Sequence, residues 1–270
     1  MPPSPWKDLK YQNSKVGRKM DEKKRYRHNN GFENEGKTLT MDINEMLHVM
    51  ADSFRNKIDK DFSLIVQLDV EDKKASWHIV IENKKVIVRK GPHDEAHFIL
   101  ATNTNTLRQI YSGEITAMTA AAKAKSYDHA PLSWKLPDNV KPTPEIMAKF
   151  YFFIQHFFNW KVPEKIVLEE KHSRAVHGGH AIPLYYYPGF RSAWYLLRKG
   201  EKLNEPGDTD PFPQALIFIE GEGFAKIGNK TIKVKAGESY YIPPNSDHVV
   251  WTNSDKPLVF IWLAWGRELK

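Results

Sequence analysis

The sequence contains no cysteine among its 270 residues, so it can form no disulfide framework and has no thiolate nucleophile. It also lacks an apolar run approaching the roughly 18 residues of a transmembrane helix, and we expect no membrane-spanning segment. Its first residues, MPPSPWKDLK, contain no apolar stretch of the kind that secretory signals carry. These absences are typical of a cytoplasmic protein, which is the predicted location.

Two further absences concern catalysis. No serine or lysine stands in a recognisable nucleophile pattern, and no glycine-rich loop precedes a helix in the way that phosphate-binding loops do. The glycines around Gly221 lie instead in a strand-turn pattern. Whether the chain is an enzyme therefore stays open at this point.

The positive charge is concentrated at the N-terminus. Residues 1–40 hold ten lysines and arginines against five aspartates and glutamates, so most of the net charge of +7 lies there. This segment is poor in apolar residues and has no periodicity, which predicts a disordered basic tail. A weak contact with RNA or anionic lipid is the alternative, but we expect no nucleic-acid partner.

Residues 41–140 carry alternating helix and strand patterns. Asp42 can cap a helix that extends to about Ile58. Strict alternation of apolar and polar residues then predicts an antiparallel meander with one covered face, formed by residues 62–70, 75–82, 86–89 and 96–101. Two helices follow, one ending at Gly113 and one beginning at Thr116, before a last strand at residues 133–136.

This order of elements, with the stretch LRQIYSGEITAM at residues 107–118, resembles the sterol carrier protein 2 family. The resemblance implies an α+β domain with an apolar tunnel between sheet and helices for fatty acids, acyl-CoA or sterols. A small apolar ligand is the implied partner. The tunnel residues that the resemblance suggests are Phe98, Leu100, Leu107, Ile110, Met118 and Trp134. The alternative is that these side chains are simply core, because apolar residues on the covered face of a sheet usually are.

Residues 141–165 form a predicted aromatic linker helix. Thr143 caps it and Pro144 occupies its first turn, the position that proline favours. The sequence EIMAKFYFFIQHFFNW is apolar on nearly every side, so the helix must cover another surface. We expect it to pack between two domains or in a homodimer, with membrane-surface binding as the rival.

The last part of the chain, residues 166–270, has the pattern of short strands bending around a small barrel. Residues 224–227 and 231–234 are predicted hairpin strands on either side of Gly228-Asn229. Pro243 and Pro244 follow, then Asn245, which tolerates a left-handed backbone, and then His248. This segment, over about residues 180–265, resembles a cupin, which implies an all-β jelly-roll barrel.

The cupin resemblance also implies a place for a divalent metal such as Fe, Mn, Zn or Ni. Counted from Gly221, the ligand positions of the family fall on Asp208, Asp210 and Gln214, with His248 as the last ligand. Two carboxylates, an amide oxygen and an imidazole can hold such a metal. The alternative is that residues 207–211 form a polar turn and that His248 is a pocket histidine. His172, His177 and His180 lie in a loop with no further ligand nearby, and we interpret them as loop histidines.

Two classes of function follow from these readings. The first is a carrier or accessory protein that binds an apolar or amphipathic small molecule, with the cupin domain as ligand sensor or dimerisation module. The second is a metal-dependent cupin enzyme, a dioxygenase or isomerase, to which the first domain presents an apolar substrate. The cupin resemblance implies histidines at positions 208 and 210, where this sequence has aspartates, and their loss favours the first class. A homodimer is expected.

Overall fold

A computed structural model describes residues 41–123 and 128–267, all of which belong to one compact unit. The predicted basic tail, residues 1–40, lies outside the described residues. Within the described ranges no helix is both long enough and apolar enough to cross a membrane. The α-helices there are α1 (Ile43–Phe54), α2 (Thr104–Ser112), α3 (Ala117–Ala121) and α4 (Pro144–His156).

Side-chain caps fix where these helices begin. Asp42 accepts a hydrogen bond from the amide of Glu45, whose carboxylate accepts one from the Asp42 amide, so α1 opens on a capping box. Thr143 caps α4 through a single hydrogen bond, which its hydroxyl accepts from the amide of Ile146. Helix α1 ends earlier than the predicted Ile58, yet Ile58 is still buried in the same core.

The N-terminal sheet contains β1 (Leu64–Val70), β2 (Ala75–Glu82), β3 (Lys85–Lys90), β4 (Phe98–Thr102) and β5 (Ser133–Lys135). Its strand order is β3-β2-β1-β4-β5, and β4 pairs parallel with β1. The prediction of a four-strand meander is therefore wrong in one respect: β4 lies beside β1 rather than beside β3. All other pairs in this sheet are antiparallel, as expected.

Residues 91–97 connect β3 to β4 by passing over the sheet on the face opposite the helices. The amide of Gly91 donates to the carbonyl of Ser76, and the amide of His93 donates to Oε1 of Gln67. The amide of His97 then donates to the carbonyl of Ile65, while Nδ1 of His97 accepts from the Ile65 amide. The backbone carbonyls of Ser76 and Ile65 and the side chain of Gln67 thus satisfy these three amides of the connection.

Helix α4 belongs to the core of the N-terminal half. Phe150, Phe153 and Phe157 are each at most 1% exposed and share one apolar cluster with α1 and the sheet. Phe54 of α1 makes edge contacts with the rings of Phe153 and Phe157, with centroids 5.8 and 5.6 Å apart. The aromatic residues that marked this helix in the sequence are therefore mostly buried.

The C-terminal half consists of two sheets that share a second core. One has six strands and the other has four. Leu216 and Phe260 of the first sheet pack in one cluster with Ala225 and Val250 of the second. Within the described residues the two sheets are separate hydrogen-bonded ladders and do not close into a continuous barrel.

The strands of this half are β6 (Arg174–Val176), β7 (Gly179–Tyr187), β8 (Phe190–Leu197), β9 (Lys202–Leu203), β10 (Gln214–Glu220), β11 (Glu222–Ile227), β12 (Lys230–Lys235), β13 (Ser239–Ile242), β14 (His248–Trp251) and β15 (Leu258–Trp265). The six-stranded sheet has the order β13-β10-β15-β8-β7-β6, and the four-stranded sheet has the order β12-β11-β14-β9. Gly221 turns the chain between β10 and β11 with φ of 77°, and a Cβ there would lie 2.1 Å from the carbonyl oxygen of Pro257. Only glycine fits this corner.

Direct hydrogen bonds join the two halves. The amide side chain of Gln155 on α4 accepts from the backbone amide of Tyr186 at 2.8 Å and donates to its carbonyl at 2.9 Å. Arg174 of β6 donates through Nη1 to the carbonyl oxygens of Thr119, Ala120 and Ala122 at the end of α3. These bonds fix helices α3 and α4 against the β-sheets.

Candidate functional site

A cavity of about 510 Å³ lies between the two halves of the described chain, and we call it the shared cavity. One wall comes from the N-terminal half and includes Met118, Trp134 and Phe150. The opposite wall comes from the β-sheets and includes His248 and Trp262. Neither half could form the cavity alone.

The N-terminal wall is held by aromatic stacking. Phe150 of α4 stacks on Phe98 of β4 with ring centroids 4.4 Å apart, and its ring lies 4.6 Å from that of Trp134. Trp134 is 37% exposed although it is a large apolar residue, because it lines the shared cavity. Met118 reaches the same space from α3, where Thr116 caps the helix.

Two asparagines with left-handed backbones position the polar end of the opposite wall. Asn245 has φ of 59°, and its amide donates to the carbonyl of Asp210 at 2.6 Å. Asn204 has φ of 62°; its backbone amide donates to the carbonyl of His177 and its side chain to that of His248. Asp210, His177 and His248 are thereby brought to one end of the shared cavity.

Hydrogen bonds orient the side chains at this polar end. The indole Nε1–H of Trp262 donates to Oε1 of Gln214 at 2.6 Å, so the amide nitrogen of Gln214 faces the other way and donates to Oδ2 of Asp210 at 3.0 Å. Gln214 is only 1% exposed, which holds this arrangement in place. Nε2 of His248 lies 3.6 Å from the same Oδ2 atom.

The four predicted metal ligands do not come together as a metal-binding set. Asp208 lies on an exposed turn, where its carboxylate accepts from the amide of Glu205 at 3.0 Å, and it does not line the shared cavity. Gln214 presents an N–H toward Asp210 instead of an oxygen. Of the four predicted metal ligands, only Asp210 and His248 offer a metal-binding atom to the shared cavity. In the described residues no three histidine, aspartate or glutamate side chains are grouped for a metal ion.

His177 is a site residue that sequence reasoning missed. It lines the shared cavity and carries a left-handed backbone with φ of 58°, unusual for a residue other than glycine. Burial lowers its pKa, and the carboxylates of Asp208 and Asp210 oppose that shift. His180, its partner in the His-x-x-His pattern, points elsewhere and lies 3.2 Å from Glu201.

A second cavity of about 460 Å³ adjoins the shared cavity, and we call it the apolar cavity. Ile110, Ile115 and Phe158 line it from the N-terminal half, and Ile182 and Leu184 of β7 line it from the other. The two cavities have Met118, Ile154 and Pro183 in common as lining residues. Methionine is unbranched and flexible, so it suits a wall between two spaces.

The residues predicted to line a lipid tunnel separate into two groups. Met118 and Trp134 line the shared cavity, and Ile110 and Met118 line the apolar cavity. The remaining three, which are fully buried in the core of the N-terminal half and line neither cavity, are Phe98, Leu100 and Leu107. Phe150 lies directly against Phe98, so α4 occupies space next to the sheet.

Two family models match separate parts of the chain. The SCP-2 sterol transfer family matches residues 35–125, and the cupin domain matches residues 195–264. These matches confirm both resemblances that the sequence motifs indicated. A search of curated proteins found no match.

Solved structures similar to this chain are cupins. A cupin 2 conserved barrel domain protein from Salinispora arenicola has 20% identity over 40% of this chain and 93% of its own, with a TM-score of 0.36. The plu4264 protein from Photorhabdus luminescens has 20% identity over 40% of this chain and 90% of its own, with a TM-score of 0.35. An RmlC-like cupin from Shewanella frigidimarina has 17% identity over 34% and 80%, with a TM-score of 0.32. The chain thus joins a region that matches the SCP-2 sterol transfer family to a region that matches the cupin domain.

Proposed function

We propose that this protein binds an amphipathic small molecule in the shared cavity and serves as a carrier or accessory protein. The observation that carries this proposal is the composition of the cavity wall. Apolar side chains such as Met118 and Phe150 come from the N-terminal half, and the polar groups of Asp210 and His248 come from the cupin-like half. Ligand pockets have this combination of apolar lining and few polar groups.

The cupin-like half supplies the polar recognition in this proposal. Burial raises the pKa of Tyr186 to about 12, so its hydroxyl stays neutral in the cavity wall. The apolar cavity behind Met118 offers room for a longer tail. The alternative of a metal-dependent enzyme is less well supported, because Gln214 and Asp208 do not present oxygens beside Asp210 and His248.

Filling the shared cavity tests the proposal. Ala121, half-buried at the end of α3, lines this cavity, and Ala121→Trp places an indole in it. We expect the affinity for Nile red, an uncharged apolar dye, to fall about tenfold, which corresponds to a loss of about 1.4 kcal/mol. Native mass spectrometry of the purified protein should likewise show less carried ligand in the variant.

The matched control is Ala175→Trp, which adds the same side chain at an exposed position of β6 outside the shared cavity. Equal dye binding by both variants and the unchanged protein would contradict the proposal. Elemental analysis of the same samples checks the alternative, because a stoichiometric transition metal that Asp210→Ala removes would favour the metalloenzyme.

We further propose that two copies associate through the outer face of the six-stranded sheet. Ile217, Ile219, Tyr241 and Trp265 are 38–56% exposed on this face. The outward positions of β10 and β15 carry one charge, that of Glu220 at the end of β10, and the rest of them offer a second copy a matching uncharged surface. Burying the uncharged part of this face against itself desolvates no ionised group.

A charge on this face should separate the copies. We expect Ile217→Lys to shift the protein from dimer to monomer in light scattering coupled to size exclusion, because an unpaired ammonium cannot be buried cheaply. Thr231→Lys adds the same charge at an exposed position on the other sheet and should leave the dimer intact. An unchanged protein that is already monomeric at micromolar concentration would overturn this proposal.

A further inference from the structure

The tautomer of His248 follows from its neighbour. Nδ1 lies 3.1 Å from the carbonyl oxygen of Ser246, an atom that can only accept a hydrogen bond. Nδ1 therefore carries the hydrogen, and in the neutral ring Nε2 presents a lone pair. The side chain of His248 is 6% exposed, and His248 lines the shared cavity, so this lone pair faces the ligand space.

The carboxylate of Asp210 presents acceptors to the same space. Ionised carboxylates only accept hydrogen bonds, and the single bond from Gln214 leaves further acceptor sites on its oxygens. Oδ2 of Asp210 and Nε2 of His248 are 3.6 Å apart, which is too far for a direct hydrogen bond. Two acceptors thus lie side by side, and a group that carries hydrogens can bridge them.

We propose that this pair selects a ligand whose head group is a hydrogen-bond donor, a primary ammonium or a hydroxyl. The inference rests on the proposed function, since it assigns the head-group chemistry of the ligand bound in the shared cavity. An ammonium has three hydrogens and a charge opposite to that of Asp210. A carboxylate head has no hydrogen to give and is repelled by Asp210. Leu216 and Val250 line the cavity as well and can contact the first carbons of the chain.

Besides Asp210, His248 and the tyrosines Tyr151, Tyr186 and Tyr195, the ionisable groups that line the cavity are Lys123, His177 and Arg191. Arg191 lies over the ring of Tyr186, 5.5 Å from its centre. It pairs with Ala264, which pairs with Gln214 on the next strand, so its backbone is about 10 Å from that of Gln214. An anionic head at Arg191 is the competing arrangement, which a carboxylate ligand would favour.

Three ligands with the same alkyl chain and different head groups distinguish a donor head at Asp210 and His248 from an anionic head at Arg191. Decylamine, 1-decanol and decanoate are tested as competitors of Nile red at physiological ionic strength, with the full chain. We expect the amine or the alcohol to bind at least about tenfold tighter than decanoate. Asp210→Asn should weaken decylamine about 10- to 100-fold and leave decanoate unchanged or tighter, because one charge-assisted hydrogen bond is lost.

The matched control is Asp208→Asn, which removes the same charge nearby without touching the cavity lining, and it should leave the order of affinities unchanged. The comparison of heads on the unchanged protein needs no variant. Tightest binding by decanoate would overturn this inference while the proposed function stands. Failure of Nile red and all three competitors to bind would overturn both. If Asp210→Asn lowers the affinity for decylamine more than the affinity for 1-decanol, the preferred head group is the ammonium.

Discussion

Phe150→Ala should lower the free energy of unfolding by about 3–5 kcal/mol, the range for removing a buried phenylalanine ring. Phe150 is 1% exposed and stacks on Phe98 at 4.4 Å. The loss combines apolar burial with the ring contacts to Phe98 and Trp134. Urea unfolding followed by circular dichroism gives the change in midpoint and slope. The ring also lines the shared cavity, so the variant should bind bulkier ligands if it remains folded.

Two comparisons make this result specific. Ile87→Ala truncates an apolar side chain that is 39% exposed on β3 and should cost less than about 1 kcal/mol. Phe150→Leu keeps part of the volume and should fall between the two. A cost below about 1 kcal/mol for Phe150→Ala would show that α4 is not part of the N-terminal core.

Arg174→Ala should cost about 3 kcal/mol, because it removes a charged donor from the end of α3. Nη1 of Arg174 donates to the carbonyls of Thr119, Ala120 and Ala122 at 3.0, 3.0 and 2.8 Å. The carbonyls of Thr119 and Ala120 also accept from the amides of Ala122 and Leu132, and Arg174 adds a cation at the negative end of the helix dipole. Hydrogen bonds to charged groups contribute about 1.5–3 kcal/mol each, and these share one nitrogen. Differential scanning calorimetry measures the fall in melting temperature.

Arg198→Ala is the control for loss of a surface guanidinium. Arg198 is 58% exposed and pairs with Glu170, so its removal should change stability by less than about 1 kcal/mol. Arg174→Lys keeps the charge but not the planar guanidinium, and we expect it to retain only part of the stability that Arg174→Ala loses. If Arg174→Ala is as stable as the unchanged protein, the hydrogen bonds from Arg174 to α3 do not stabilise the junction of the two halves.

The starts of helices could be predicted because their chemistry is local. Asp42, Thr116 and Thr143 each cap a helix by accepting a bond from an amide three residues on. Gly113 ends α2 with φ of 85°, as its position in the sequence indicated. Such contacts need no information about the rest of the chain.

The strand that β4 pairs with could not be predicted in this way. Alternation in residues 96–101 shows correctly that this segment is a strand with one buried face. It does not show which edge of the sheet the strand joins, because the same alternation fits either edge. The contacts of His93 with Gln67 and of His97 with Ile65 place this strand beside β1. They join residues that are distant in the sequence.

The candidate site was predictable only in part for the same reason. Spacing within the cupin-like segment brought Asp210, Gln214 and His248 to notice, and they do lie together. His177 was missed because its place depends on a left-handed backbone and on hydrogen bonds to Asn204. The shared cavity was not predictable, since Trp134 faces it only because the two halves pack as they do.

The parallel pairing of β1 and β4 has a consequence for the speed of folding. Strands β1, β2 and β3 are joined by short turns, so their pairs close small loops at little entropic cost. The bond between Ile65 and His97 joins residues 32 positions apart. The three antiparallel strands can therefore assemble early, and β4 then adds to an edge that already exists. Because α3 and β5 follow β4 along the chain, we expect the wall of the shared cavity that they supply to form after this three-strand unit.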